Sequence, residues 1–179
     1  PFGGSANSND MKRNLLLILF AMTLGTNVNA QSLIKLWDKR YGGFSSETLR
    51  SILYTRDNGF ILGGYSYSDS SGDKTQNDWH DSIQNNPTAD YWVVKTDSLG
   101  NKQWDKRFGG KNHDILSSLQ QADDGDYVLT GGSASRNNGD KTQENWDTIS
   151  TYTTYDFWIV KIDSLGTKKW DKRYGGLKD

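Results

Sequence analysis

The stretch Asp90-Tyr91-Trp92-Val93-Val94-Lys95-Thr96-Asp97-Ser98-Leu99-Gly100-Asn101-Lys102-Gln103-Trp104-Asp105-Lys106-Arg107-Phe108-Gly109-Gly110 is written again, 66 residues later, from Asp156-Phe157-Trp158-Ile159-Val160-Lys161 to Trp170-Asp171-Lys172-Arg173-Tyr174-Gly175-Gly176. Each copy reads as a hairpin, with an apolar run, an Asp-Ser-Leu-Gly turn and a second run. Its closing phrase occurs a third time as Leu36-Trp37-Asp38-Lys39-Arg40-Tyr41-Gly42-Gly43. The tryptophans of the three phrases, Trp37, Trp104 and Trp170, fall 67 and 66 residues apart, a spacing that belongs to large β-repeats.

Working upstream within each copy, Asp57-Asn58-Gly59 and Asp123-Asp124-Gly125 lie between apolar segments. Asn, Asp and Gly tolerate the positive φ of tight turns, so these too are hairpins. Four strands per repeat follow: a (Thr48 to Thr55, Ile115 to Ala122), b (Phe60 to Tyr67, Tyr127 to Ala134), c (Tyr91 to Thr96, Phe157 to Ile162) and d (Lys102 to Phe108, Lys168 to Tyr174). Strand c is apolar on both sides, through Tyr91 and Val93 on one and Trp92 and Val94 on the other, and is expected to be covered on both. Sheets of four antiparallel strands, each packed between its neighbours, are how a β-propeller buries its blades. The expected fold is all-β, with propeller-type blades. In such a meander the insert between b and c shares a rim with the d to a crossing, and long loops on a rigid frame are the usual place for binding.

The ends of the chain are read separately. Met11-Lys12-Arg13 followed by the apolar run Leu15 to Leu24 and the small-residue site Val28-Asn29-Ala30 reads as a secretory signal with cleavage near Ala30, and residues 1–10 read as an upstream extension. The run is too short to span a membrane. The expected organisation is therefore extension 1–10, signal 11–30, an orphan outer strand within 31–45, repeat 46–110, and repeat 111–179 with the start of the next link. Two blades cannot close a ring, so the reading expects a piece of a longer repeat protein.

Composition narrows the function classes. The net charge of −1 gives no electrostatic footprint for nucleic acid, and 179 residues with no cysteine must hold together by packing, without disulfides. Gly-Asp-Lys-Thr-Gln (72 to 76, 139 to 143), residues 90–110 and Tyr127-Val128-Leu129-Thr130-Gly131-Gly132-Ser133 resemble the propeller-like repeats of secreted Bacteroidetes proteins. The resemblance covers nearly all of residues 33–179. It implies an extracellular or cell-surface protein and carries no catalytic residues. Such proteins often end in a type IX secretion sorting domain, and no such domain is recognisable in these residues. A more distant likeness is to quinoprotein propellers, but nothing here resembles their cofactor ligands.

The insert holds the chemically suggestive residues. Oxygen-rich loops can bind calcium, and Asp73 and Asp140, which keep their place in both copies, are the candidate ligands, although neither insert matches a calcium-loop spacing. Turn formation is the competing explanation. Trp79 and Trp146 are the candidate ligand-binding aromatics, able to stack on a sugar ring or a partner side chain or else to fold over their own blade. Trp37, Trp104 and Trp170 are expected to pack between blades, with Trp92 and Trp158 in the strands, and the Lys and Arg of Trp-Asp-Lys-Arg to pair with Asp of the neighbouring insert. His80 and His113 do not recur, and no nucleophile and base stand together. The expectation is an exported, non-enzymatic scaffold with no cofactor, binding a glycan or a surface protein. The alternatives are the scaffold part of a secreted carbohydrate-active enzyme and a passive spacer.

Overall fold

Alternating and doubly apolar runs bounded by Asx-Gly turns fold as eight strands in two meanders. A computed structural model describes residues 34–79, 87–146 and 154–176. The chain divides after Leu36, and the fold belongs to the unit Trp37–Asp179. Sheet 1 comprises β1 (Glu47–Tyr54), β2 (Phe60–Ser66), β3 (Asp90–Thr96) and β4 (Lys102–Phe108). Sheet 2 comprises β5 (Asp114–Gln121), β6 (Tyr127–Ser133), β7 (Asp156–Ile162) and β8 (Lys168–Tyr174). Both are purely antiparallel in sequential order. The protein is all-β, its two repeats built as equivalent four-stranded sheets. Among the described residues no helix is long and apolar enough to cross a membrane. The extension, the signal segment, His80, Asp81 and Asp147 lie outside the described residues.

The turns obey their local chemistry. Asn58 (φ 61°) and Gly125 (φ 87°) occupy the same left-handed position of the first hairpin in each sheet. In the second hairpin Asp97 Oδ1 accepts from the backbone of Leu99 (2.9 Å) and Asn101 (2.8 Å), and Asp163 Oδ1 does the same for Leu165 and Thr167. Both turns thus close on a carboxylate before any tertiary contact is needed.

The core lies between the sheets. Ile61, Tyr91 and Val93 of sheet 1 meet Leu116, Leu119, Trp158 and Val160 of sheet 2. The rings of Tyr91 and Trp158 stand 5.0 Å apart, and the Tyr91 hydroxyl donates to the Trp158 carbonyl at 3.2 Å. Gly63 and Gly131 are required here. A Cβ on Gly63 would fall 2.3 Å from Leu119, and one on Gly131 would fall 2.7 Å from the Tyr91 hydroxyl. At the far rim Arg56 joins the hairpins, its guanidinium donating to Asp123 O (2.6 Å) and Oδ1 (3.2 Å).

Two expectations need correction. Strand c is covered on both faces only in sheet 1, where every residue of β3 is buried. In β7 burial alternates, and Phe157, the counterpart of Tyr91, is 74% exposed against 0%. No other sheet among the described residues covers that face. Of the orphan strand expected within 31–45, the described residues 34–45 form no ladder. A strand needs a partner, and among the described residues none lies beside it. Residues 37–41 dock instead through side chains: Trp37 Nε1 donates to Ser98 O (3.1 Å), Lys39 Nζ to Asn101 Oδ1 (3.4 Å) and the Tyr41 hydroxyl to Gly100 O. Trp104 and Lys106 pack over Gly166 just as Trp37 and Lys39 pack over Gly100.

Candidate functional site

The rim that carries the inserts is assembled from the two recurring phrases, Gly-Asp-Lys-Thr-Gln and Trp-Asp-Lys-Arg, and each residue has a definite job. Gly72 and Gly139 take positive φ (56° and 61°), turning the insert back against the crossing chain. Asp73 then exchanges two hydrogen bonds with Gly42, its backbone N–H donating to Gly42 O (2.8 Å) and its carboxylate accepting from Gly42 N–H (3.1 Å). Asp140 repeats the exchange with Gly109 at 2.8 and 3.2 Å. Each insert thereby clamps the glycine pair that leads into its own sheet. A side chain on Gly43 or Gly110 would collide with Ser68 or Ser135.

Behind the clamp sits a buried lysine. Lys74 donates to Ser68 O and to the Asp78 carboxylate, and Lys141 donates to Ser135 O (2.6 Å) and to Asn145 Oδ1. The second copy replaces the carboxylate with a neutral acceptor, and burial lowers the proton affinity of Lys141. Next, Asp105 gathers donors from three elements: Thr75 N–H (2.9 Å), Trp92 Nε1 (3.1 Å) and Lys102 Nζ (2.9 Å). Burial works to raise its pKa, but these donors hold it below the ordinary carboxylate value. Asp171 does the same with Thr142, Trp158 and Lys168. Finally Gln76 Oε1 accepts from Arg107 N–H (2.9 Å) and Gln143 Oε1 from Arg173 N–H (2.8 Å), so each insert caps the outer edge of its sheet.

The candidate residues fall into two groups. Of the calcium candidates, Asp73 accepts the Gly42 N–H on one carboxylate oxygen, and Asp140 accepts several donors. Asp140 receives Gly109 N–H, Trp79 Nε1 (3.1 Å) and the Arg107 guanidinium (2.6 Å). Among the described residues no group of three or more Asp, Glu or His comes together to hold a metal ion. The insert tryptophans remain accessible, Trp79 at 41% and Trp146 at 52%. Each carries a guanidinium over its ring, Arg107 at 4.9 Å and Arg173 at 4.7 Å. Each is anchored by its backbone N–H to a buried carboxylate, Trp79 to Asp90 (2.7 Å) and Trp146 to Asp156 (2.9 Å). Trp79 therefore sits on the seam between the sheets, bound by Arg107 of its own sheet and Asp140 of the next. Of the strand tryptophans, Trp92 and Trp158 are buried and Trp104 packs edge-on against Tyr127 at 6.5 Å. Trp37 meets Phe60 in the same way at 5.6 Å, and Trp170 is 41% exposed. His113 is a structural acceptor, its Nδ1 taking the Ala89 N–H at 3.1 Å.

Under the rim, Asp90 feels the charges of Asp78 and Asp114. Burial pushes Asp90 up to about 8, opposed by the Trp79 N–H and reinforced by Asp78 and Asp114, while Arg107 lies 3.8 Å away and lowers it. Burial also raises Asp78 and Asp114 to about 6, against Lys74 on the first and the Ser133 and Ser135 hydroxyls and Gly110 N–H on the second. A carboxyl raised above its unfolded value stabilises the fold fully below the unfolded pKa and loses that contribution as pH rises through the folded one. The window here runs from the ordinary carboxylate range to about 8. Thermal unfolding is therefore expected to occur roughly 5 °C lower at pH 9 than at pH 5, and Asp90→Asn to flatten the profile. An Asp90→Asn profile as steep as the parent's would remove Asp90 as its source.

Sequence reasoning missed the buried lysines, the Asp105 and Asp171 hubs and the glutamine edge caps. The available signal was that Gly-Asp-Lys-Thr-Gln is kept letter for letter while the rest of the insert drifts. No protein-family model matches the chain, and no curated protein sequence matches it significantly.

Proposed function

We propose that the two sheets are blades of a β-propeller-type repeat and that the protein is an exported, non-enzymatic scaffold that binds glycans at the insert rim. The observation that carries the reading is the division of labour on that rim. The recurring Asp, Lys and Gln side chains and the Thr backbone N–H bond to the protein's own backbone and hubs, whereas Trp79 and Trp146 recur with about half their surface open and an arginine over each ring. A half-open indole suits a sugar, offering the face that the guanidinium leaves uncovered to ring C–H groups.

Glycan-array binding by the full chain tests it. Trp79→Ala and Trp146→Ala are each expected to weaken the bound glycan roughly tenfold or more, the loss of one stacking contact. An array with no bound glycan, or binding indifferent to both substitutions, would overturn the reading. Capture of a surface protein in place of a glycan would move the ligand to the other expected class.

A further inference from the structure

The contact between the sheets is directional, and each of its halves is repeated on the opposite outer face of the molecule. Sheet 1 presents Tyr91 and Gly63 to sheet 2, which answers with Trp158, Gly131, Leu116 and Leu119. The counterparts of the first set on sheet 2, Phe157 and Thr130, stand on the open side of β7 and β6 with Tyr174 beside them. The counterparts of the second set on sheet 1 are Trp92, Gly64, Leu49 and Ile52. They line or flank an open groove of about 310 Å³ bounded by Tyr41, and Leu49 and Ile52 are themselves half exposed. One molecule thus exposes a knob equivalent to Tyr91 and, on its far side, the slot that accepts such a knob.

We propose that a second copy of this chain docks head to tail on these faces, the Phe157 side of sheet 2 in one molecule entering the groove of sheet 1 in the other. The established inter-sheet contact is the template for this interface, and the match extends to the rim. Residues 37–43 hold on sheet 1 the place that residues 104–110 hold on sheet 2: the same glycine clamp, the same Trp edge contact, the same lysine over the turn glycine. The incoming Trp170-Asp171-Lys172-Arg173-Tyr174-Gly175-Gly176 is letter for letter the phrase already seated there. β8 is secured to β7 by a full antiparallel ladder, while residues 37–41 have none, so the resident phrase yields. Residues 37–43 act as a removable cover over the docking face. The contact is heterologous, residue i never meeting its own copy, and such contacts build rings or chains.

The absence of cysteine gives a clean test in the full chain. Leu119 packs on Gly63, so their counterparts Ile52 and Thr130 should meet across the new interface. A mixture of Ile52→Cys and Thr130→Cys chains should form a mixed disulfide dimer under mild oxidation, and neither variant alone should cross-link. Adding Phe157→Asp to the Thr130→Cys chain should lower the yield at least about tenfold. Adding Trp37→Ala and Tyr41→Ala to the Ile52→Cys chain should raise it several-fold. Phe157 is exposed, so circular dichroism should show that variant folded. Cross-links of like with like, none at all, or a yield that Phe157→Asp leaves unchanged would overturn the proposal. None of these outcomes depends on what the rim binds.

Discussion

Tyr91→Ala is expected to lower the unfolding free energy by about 3–5 kcal/mol, and Phe157→Ala by less than about 1 kcal/mol, although the two residues hold the same position in the repeat. Tyr91 is fully buried, packs with its ring tilted against Trp158, bonds its carbonyl and fills the space left by Gly131. Truncation removes a large apolar side chain from between two sheets and leaves a cavity that the glycines on either side cannot close. Phe157 projects from the open face of β7 and loses little that is already out of water. Denaturant titration of the full chain checks both. Equal, small effects would mean that the sheets are not held together through this face.

Asp105→Ala is expected to cost about 3–5 kcal/mol, with Asp171→Ala comparable, while Asp38→Ala at the same place in the first phrase costs less than about 1 kcal/mol. Removing the Asp105 carboxylate leaves the Trp92 indole N–H, the Thr75 N–H and the Lys102 ammonium without their shared acceptor. The first of these is buried inside β3, so water does not readily replace the lost partner. Asp38 is exposed, which is why an identical motif should respond differently. The same titration reads this result, and an Asp105→Ala chain with an unmoved midpoint would show that the hub carries no stability.

The strands were legible in the residues because their signals are local. Apolar runs bounded by Asx-Gly and Asp-Ser-Leu-Gly turns placed all eight within one residue of their observed ends. The environment of a strand is not local. Tyr91-Trp92-Val93-Val94 and Phe157-Trp158-Ile159-Val160 look alike as text, yet only the first lies between two covers, and the difference is made by what packs from outside. The first Trp-Asp-Lys-Arg-Tyr phrase likewise carries strand residues and forms none, because a ladder depends on a neighbour.

The rim was the least legible part. Asp, Lys, Thr and Gln in a loop have the composition of solvated turn, and a lysine is almost never expected inside. Lys74 and Lys141 are nevertheless nearly inaccessible, since carbonyls and an Asp or Asn side chain surround each ammonium. Only the strict repetition of the five residues distinguished them from filler. The insert tryptophans were visible as candidates, but their stacking under Arg107 and Arg173 depends on strand register, which brings β4 and β8 back beneath their own inserts.

The hydrogen bond from each insert tryptophan's N–H to Asp90 or Asp156 has a consequence for how the repeat can diversify. It holds Trp79 against Asp90 and Trp146 against Asp156, which forms a closed neck in the framework of each insert. The copies differ by one residue in length, and the difference falls inside this neck, between Trp79 and Asp90 in the first and Trp146 and Asp156 in the second. Residues added between two points held in this way add only a slowly growing closure entropy. The position is a natural graft point, where foreign sequence can be spliced into either repeat while the clamp, the hub and the edge cap stay as they are.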